Sequence, residues 1–244
     1  MARPGSVGAI GTGVMGLPEA KRADFLRSVG AWTAGGIIWA FIVGGGVAWV
    51  LSENPFLLNR IFMLGAIFGS MAVSNYAARP LVNGHNPELG FLIGTAAEGI
   101  AMGYLLFFAV MVGADSYGEE GLGPFTLVAQ AGGLTALTAM CMGAWLATGP
   151  KDLSMIQGAL AVLGVPMMVL MVISFVFPIG GAAGIGLTAV FIAVSGAGLL
   201  YNLNQVIHVA RPGQEIAAAY EITMGMLVLF WNILVLLMKL SRRD

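Results

Sequence analysis

The sequence predicts an all-α fold, a polytopic membrane protein built as a bundle of seven transmembrane helices. Three observations carry this. Of 244 residues, 58% are hydrophobic, 9% are charged and the mean hydropathy is +0.89, whereas a soluble domain carries about 25% charged residues. The apolar residues fall in long runs nearly free of Asp, Glu, Lys and Arg, and a bilayer crossing needs about 20 of them. The alternating pattern of a membrane β-barrel is absent, which leaves helices as the spanning element.

The runs define the elements in order. Residues 28–52 carry no charge, and 61–78 lie between Arg60 and Arg79. Residues 89–114 contain one charge, Glu98. Residues 121–150 are uncharged, and so are 153–210, a run too long for one helix that Pro178, Gly180 and Gly181 divide into two passes. The last run, 222–238, lies between Glu221 and Lys239. The expected helices are 31–51, 57–78, 89–112, 124–148, 153–176, 183–208 and 216–239. Together they make one membrane domain, 29–244, preceded by a Gly-rich, basic arm over 1–28 with no apolar core of the kind a signal peptide needs.

Basic residues set the expected orientation. With the N-terminus cytoplasmic, the inner segments hold Arg3, Lys21, Arg22, Arg27, Arg79, Lys151 and Arg211, and the outer ones hold Arg60, Lys239, Arg242 and Arg243. The basic tail runs against this: either the rule fails at that end or one segment is re-entrant. Seven spans with the N-terminus inside is the reading kept.

Several function classes drop out. A net charge of −1 leaves no electrostatic footprint for nucleic acid. One Cys and two His argue against a His/Cys metal site, and neither a metal nor another cofactor is expected. Gly11, Gly13 and Gly16 spell G-x-G-x-x-G, but a membrane helix follows instead of a βαβ unit, so a dinucleotide fold is rejected for a flexible arm. No hydrolase triad, phosphate loop or haem-ligand pair is present, and Cys141 lies among apolar residues as an inert thiol. No enzyme is expected.

Ionisable groups inside hydrocarbon are costly and are therefore functional candidates. Glu98 lies in the middle of the third helix, flanked by Gly94, Gly99 and Gly103, whose small size admits a close neighbour. It reads as a proton-sensitive or cation-contacting group, or else as a protonated acid hydrogen-bonded to the next helix. Asn202 and Gln205 share a helical face, either lining a polar cavity or acting as interhelical glue. Glu221 lies one turn inside the seventh helix, where the helix dipole stabilises a carboxylate. His208, at a helix end, reads as a surface residue more readily than as a pH switch. Gly65 and Gly69 form a G-x-x-x-G packing signature, and Pro166 is expected to kink the fifth helix.

Three segments resemble the transmembrane Bax inhibitor motif family, in its small bacterial form. Residues 201–208, Y-N-L-N-Q-V-I-H, are similar to the family's sixth-helix ending, Tyr-Asp-x-x-Gln. K-D-L-S at 151–154 falls where the family enters its fifth helix, and the Gly90–Phe91 start with mid-helix Gly99 looks like its third. The likeness runs from about residue 30 to 240. It implies a seven-helix protein of the bacterial inner membrane, associated with pH-sensitive leak of calcium and other cations or with larger membrane protein complexes.

The resemblance also implies an acidic pair, one Asp on helix six and one on helix seven, whose shared proton makes a pH gate. This chain departs there. Asn202 stands at the first position. Gly225 stands at the second, on an alignment through Phe230. The family's helix-two Glu has no counterpart in 57–78. The expected function is thus a calcium or proton-linked leak resting on Glu98, Asn202, Gln205 and Glu221, or a non-conducting subunit docking through small-residue faces. Glu98 and Glu221 are candidates for a substitute pair.

Overall fold

A computed structural model describes residues 18–149, 152–176 and 179–241. Seven long helices follow in chain order: α1 Glu19–Glu53, α2 Arg60–Val82, α3 Pro87–Tyr117, α4 Thr126–Ala147, α5 Ser154–Val176, α6 Gly181–His208 and α7 Glu215–Ser241. Among the described residues there is no strand. Six of these helices are long and apolar enough to cross a bilayer; in α5 the described apolar stretch is the shorter Ser154–Gly164. The Gly-rich motif at 11–16 and Pro178 lie outside the described residues.

The largest departure from the sequence reading is at the start. α1 begins at Glu19, directly after Pro18, so 19–28 of the anticipated arm are helical. The charges there (Glu19, Lys21, Arg22, Asp24, Arg27) exclude this stretch from hydrocarbon but not from a helix, and Glu19 in the first turn suits the dipole. At 35 residues α1 is about 52 Å long, well beyond a hydrocarbon core of about 30 Å. Its first turns therefore project past the core on the face where the chain starts. We call this the N-terminal face; it also carries the α2–α3 and α6–α7 turns. α2 and α3 also end later than expected, α3 stopping at Gly118 with φ +93°. Pro166 lies within α5, which continues to Val176.

Local chemistry sets the helix starts. Asn59 Oδ1 accepts the Ile61 N–H at 3.1 Å ahead of α2. Pro87 occupies the first turn of α3, where its missing N–H costs nothing. The Asp152 carboxylate accepts the Ser154 N–H at 3.0 Å at the head of α5, which holds its pKa below the ordinary value. α2 is interrupted by a π turn over Val73–Ala78, in which the Arg79 N–H reaches back to the Ser74 carbonyl. Pro80 follows at once; having no N–H and a ring that crowds the carbonyl four residues back, it disfavours a regular α turn there.

α3 is the central helix, with 61% of its apolar window buried against 17–39% for the other five spans. It packs on α1 almost backbone to backbone. A Cβ added at Gly99 would meet the Ala40 carbonyl at 2.6 Å, one at Gly103 the Gly44 carbonyl at 3.0 Å, and one at Gly44 the Gly99 carbonyl at 3.0 Å. α7 closes the core from the other side: Phe91 of α3 stacks edge-on with Trp32 of α1 at 5.3 Å and with Tyr220 of α7 at 6.3 Å. α6 and α4 pack on α7, α5 packs on α6, and the first half of α2 packs mainly on α3.

Gly99 lies directly against α1, whereas Gly65 and Gly69 are exposed, with nothing among the described residues within 4 Å of an added Cβ. Replacing Gly99 by Leu forces α1 and α3 apart and is expected to cost roughly 1–3 kcal/mol. Gly65→Leu is expected to leave stability unchanged. Thermal unfolding of both variants in detergent checks the contrast, and equal losses would contradict the packing.

Candidate functional site

The close α1–α3 contact turns the Gly99 face of α3 to α1 and leaves the preceding residue, Glu98, about 100° round the helix from it, toward α2. Glu98 Oε1 accepts a hydrogen bond from Ser74 Oγ at 3.3 Å, from the π turn of α2. The Ser74 carbonyl in turn accepts from the Tyr220 hydroxyl of α7 at 3.3 Å. Ser74 therefore links α2, α3 and α7 in one polar contact near mid-bundle.

One residue on from Tyr220, Glu221 receives Arg79 in a forked pairing, with Nη2 at 2.7 and 2.9 Å from the two carboxylate oxygens and Nε at 3.1 Å. Such two-point pairing fixes both side chains. The side chains remain 50% and 36% exposed, which limits what the pair contributes to stability. On the other side of the same turn, Asn202 Nδ2 donates to the Glu221 carbonyl at 3.1 Å. α2, α6 and α7 are thus tied together toward the N-terminal face.

The sequence candidates are only partly brought together. Asn202 and Glu221 meet, through a backbone carbonyl. A Cβ at Gly225 would lie 3.6 Å from Asn202 Nδ2, so the two positions where the resemblance expects an acid pair do face each other. Gln205 does not join them: its amide donates back one turn to the Tyr201 hydroxyl at 2.8 Å. Glu98 and Glu221 have separate partners, Ser74 and Arg79, rather than each other. His208 is half-buried, and its Nε2 is buried with no hydrogen-bond partner among the described residues. Among the described residues no set of three His, Cys, Asp or Glu side chains converges as a metal site.

Beyond Glu98, toward the face opposite the N-terminal one, lies a cavity of about 750 Å³ walled by α2, α3, α6 and α7, with Met167 of α5 reaching in. Glu98 and Lys239 are the charged residues on its wall. Lys239, in the last turn of α7, donates to the Gly184 carbonyl at 3.0 Å and to Thr188 Oγ1 at 2.9 Å. Asn232 and Ser195, bonded at 3.3 Å, lie between the two ends.

Arg79, Ser74, Tyr220 and Lys239 were not anticipated. Arg79 and Lys239 entered the sequence reading as the charges that bound spans, and their roles depend on partners on other helices. Ser74 left one usable trace: it lies one turn from buried Ser70 on an apolar helix.

A family model described as Bax1-I, Inhibitor of apoptosis-promoting Bax1, matches residues 22–242 of the chain. No curated protein matches it.

The Arg79–Glu221 pair is open to direct measurement. A double-mutant cycle with Arg79→Gln and Glu221→Gln, read by thermal unfolding, is expected to give a coupling of about 1 kcal/mol, the upper end for a partly exposed pair of good geometry. Additive effects would show that the contact contributes nothing to holding α2 on α7.

Proposed function

The chain belongs to the Bax inhibitor family, and from that premise we propose that it is a slow cation leak, for calcium or protons, whose resting closure is the Arg79–Glu221 pair. One observation carries the reading: a cavity within the bundle has a carboxylate, Glu98, on its wall, and the way onward to the N-terminal face is crossed by side chains joined by hydrogen bonds and one half-exposed ion pair. An unpaired cation in hydrocarbon is prohibitively costly. A carboxylate with Ser74, Ser195 and Asn232 nearby lowers that cost along the cavity. The closure needs only modest energy to open, since an exposed pair contributes roughly 0.2–1 kcal/mol.

The closure depends on the Glu221 carboxylate that Arg79 grips, so replacing that carboxylate weakens the closure and raises the leak. In this reading Glu98 is the cation contact and Asn202 holds the α6–α7 seam. The reading involves no covalent chemistry and assigns no enzymatic activity. It places the protein in a bacterial-type inner membrane with the N-terminus cytoplasmic, which the basic residues of the first turns of α1, with Arg79 and Arg211, favour.

A second reading, a structural or regulatory subunit of a larger membrane complex, is favoured by a different observation. Gly65 and Gly69 present a smooth outward stripe on α2 with open space beside it, the surface on which a foreign helix packs closely.

The test is calcium flux from proteoliposomes at acidic and alkaline pH against empty liposomes. Flux above that of empty liposomes, which falls in Glu98→Gln and rises in Glu221→Gln, is the expected result. Asn202→Asp, which adds a titratable group to the closure, is expected to make the flux depend on pH. Absence of flux at either pH would sink the leak reading. A partner that co-purifies with the wild type and is lost in Gly65→Leu would then favour the second.

A further inference from the structure

Lys239 carries its charge at one end of a largely apolar space, without an ion pair among the described residues. Its ammonium has three donors, of which two are engaged by neutral oxygens, the Gly184 carbonyl and Thr188 Oγ1. It lies in the last turn of a membrane helix, the level at which long basic side chains reach toward lipid headgroups.

Below it the cavity is a groove. Its α7 wall runs from Leu227 to Lys239, roughly 18 Å at 1.5 Å per residue, shorter than a hydrocarbon core of about 30 Å. Ile67, Met71, Phe108, Phe191, Trp231 and Val235 make most of its surface apolar. The first half of α2 packs mainly on α3, and among the described residues α2 and α6 make no close contact with each other across this space, which Met167 of α5 also lines.

We propose that this groove binds one acyl chain of an anionic lipid, with the carboxylate or phosphate of the headgroup on Lys239 and the hydrocarbon between α2, α6 and α7. A small anion would satisfy Lys239 and leave the apolar length unfilled. An uncharged alkyl chain would fill the length and leave the ammonium without a counter-charge. An anionic amphiphile does both, and the surrounding bilayer supplies it with its headgroup already at the right depth. The site stands whether or not the protein conducts. If it does, an occupant fills the same space and holds the leak shut.

The experiment uses the full chain in a neutral detergent, titrated with cis-parinaric acid, a fluorescent fatty acid, with energy transfer from tryptophan as the readout. Saturable binding is expected, weakened about tenfold or more in Lys239→Gln and preserved within a few-fold in Lys239→Arg. The methyl ester should bind the wild type as weakly as the acid binds Lys239→Gln, and Trp231→Phe should lower the transfer. Oleate and phosphatidylglycerol are run as competitors, and the one that displaces the probe identifies the headgroup. An ester that binds as tightly as the acid, displacement by inorganic phosphate alone or by neither lipid, or transfer unchanged in Trp231→Phe would each overturn the proposal.

Discussion

The approach of α1 and α3 at Ala40, Gly44, Gly99 and Gly103 is the constraint on which the rest of the structure depends. Carbonyls of one helix lie where side-chain carbons of the other would begin, so neither the axial register nor the rotation of α3 can change without a clash. In lipid there is no hydrophobic drive to bring helices together, and such close packing supplies the attraction instead. Once the Gly99 face is committed to α1, Glu98 is turned about 100° round the helix from that contact. That side carries the π turn of α2 and opens onto the cavity.

The π turn is a second consequence of local chemistry. Pro80 cannot complete an α turn, and the wider turn exposes the Ser74 carbonyl, which accepts both the Arg79 N–H and the Tyr220 hydroxyl. Arg79 emerges at the end of this turn and reaches Glu221. A backbone irregularity in one helix therefore places a cation against an acid on another, without any further polar scaffold. The ion pair adds little stability by itself, as expected of a half-exposed pair; its effect is on which helices are held together at the N-terminal face.

The polar groups of the bundle are divided between its two ends. Toward the N-terminal face, Ser74, Arg79, Asn202, Tyr220 and Glu221 are joined by hydrogen bonds and one ion pair. Toward the opposite face the interior widens into an apolar groove bounded by Lys239. In the proposed reading, the polar end is the barrier to ions and the apolar end is the part reached from the bilayer.

The number and order of the helices were readable from the sequence, because a bilayer imposes a minimum apolar length and every charge between runs marks a boundary. Glu98, to which the structure gives Ser74 as a partner, stood out as a candidate for the same reason, an acid in hydrocarbon being costly. These are local properties, decided residue by residue. Which partner each polar group takes is not local. Arg79 and Glu221 are 142 residues apart, Lys239 finds oxygens 51 and 55 residues away, and nothing in the spacing marks either contact. The glycines show the same divide: Gly65 and Gly69 carry the packing motif and face outward, whereas Gly99 lies in contact with α1, since a motif specifies a smooth surface and not what covers it. Asn202 and Gln205 share a helical side yet bond in different directions, one across to α7 and one back along α6. Sequence determined what had to enter the membrane; only the rotation of each helix about its axis, set by close packing, decided which groups meet there.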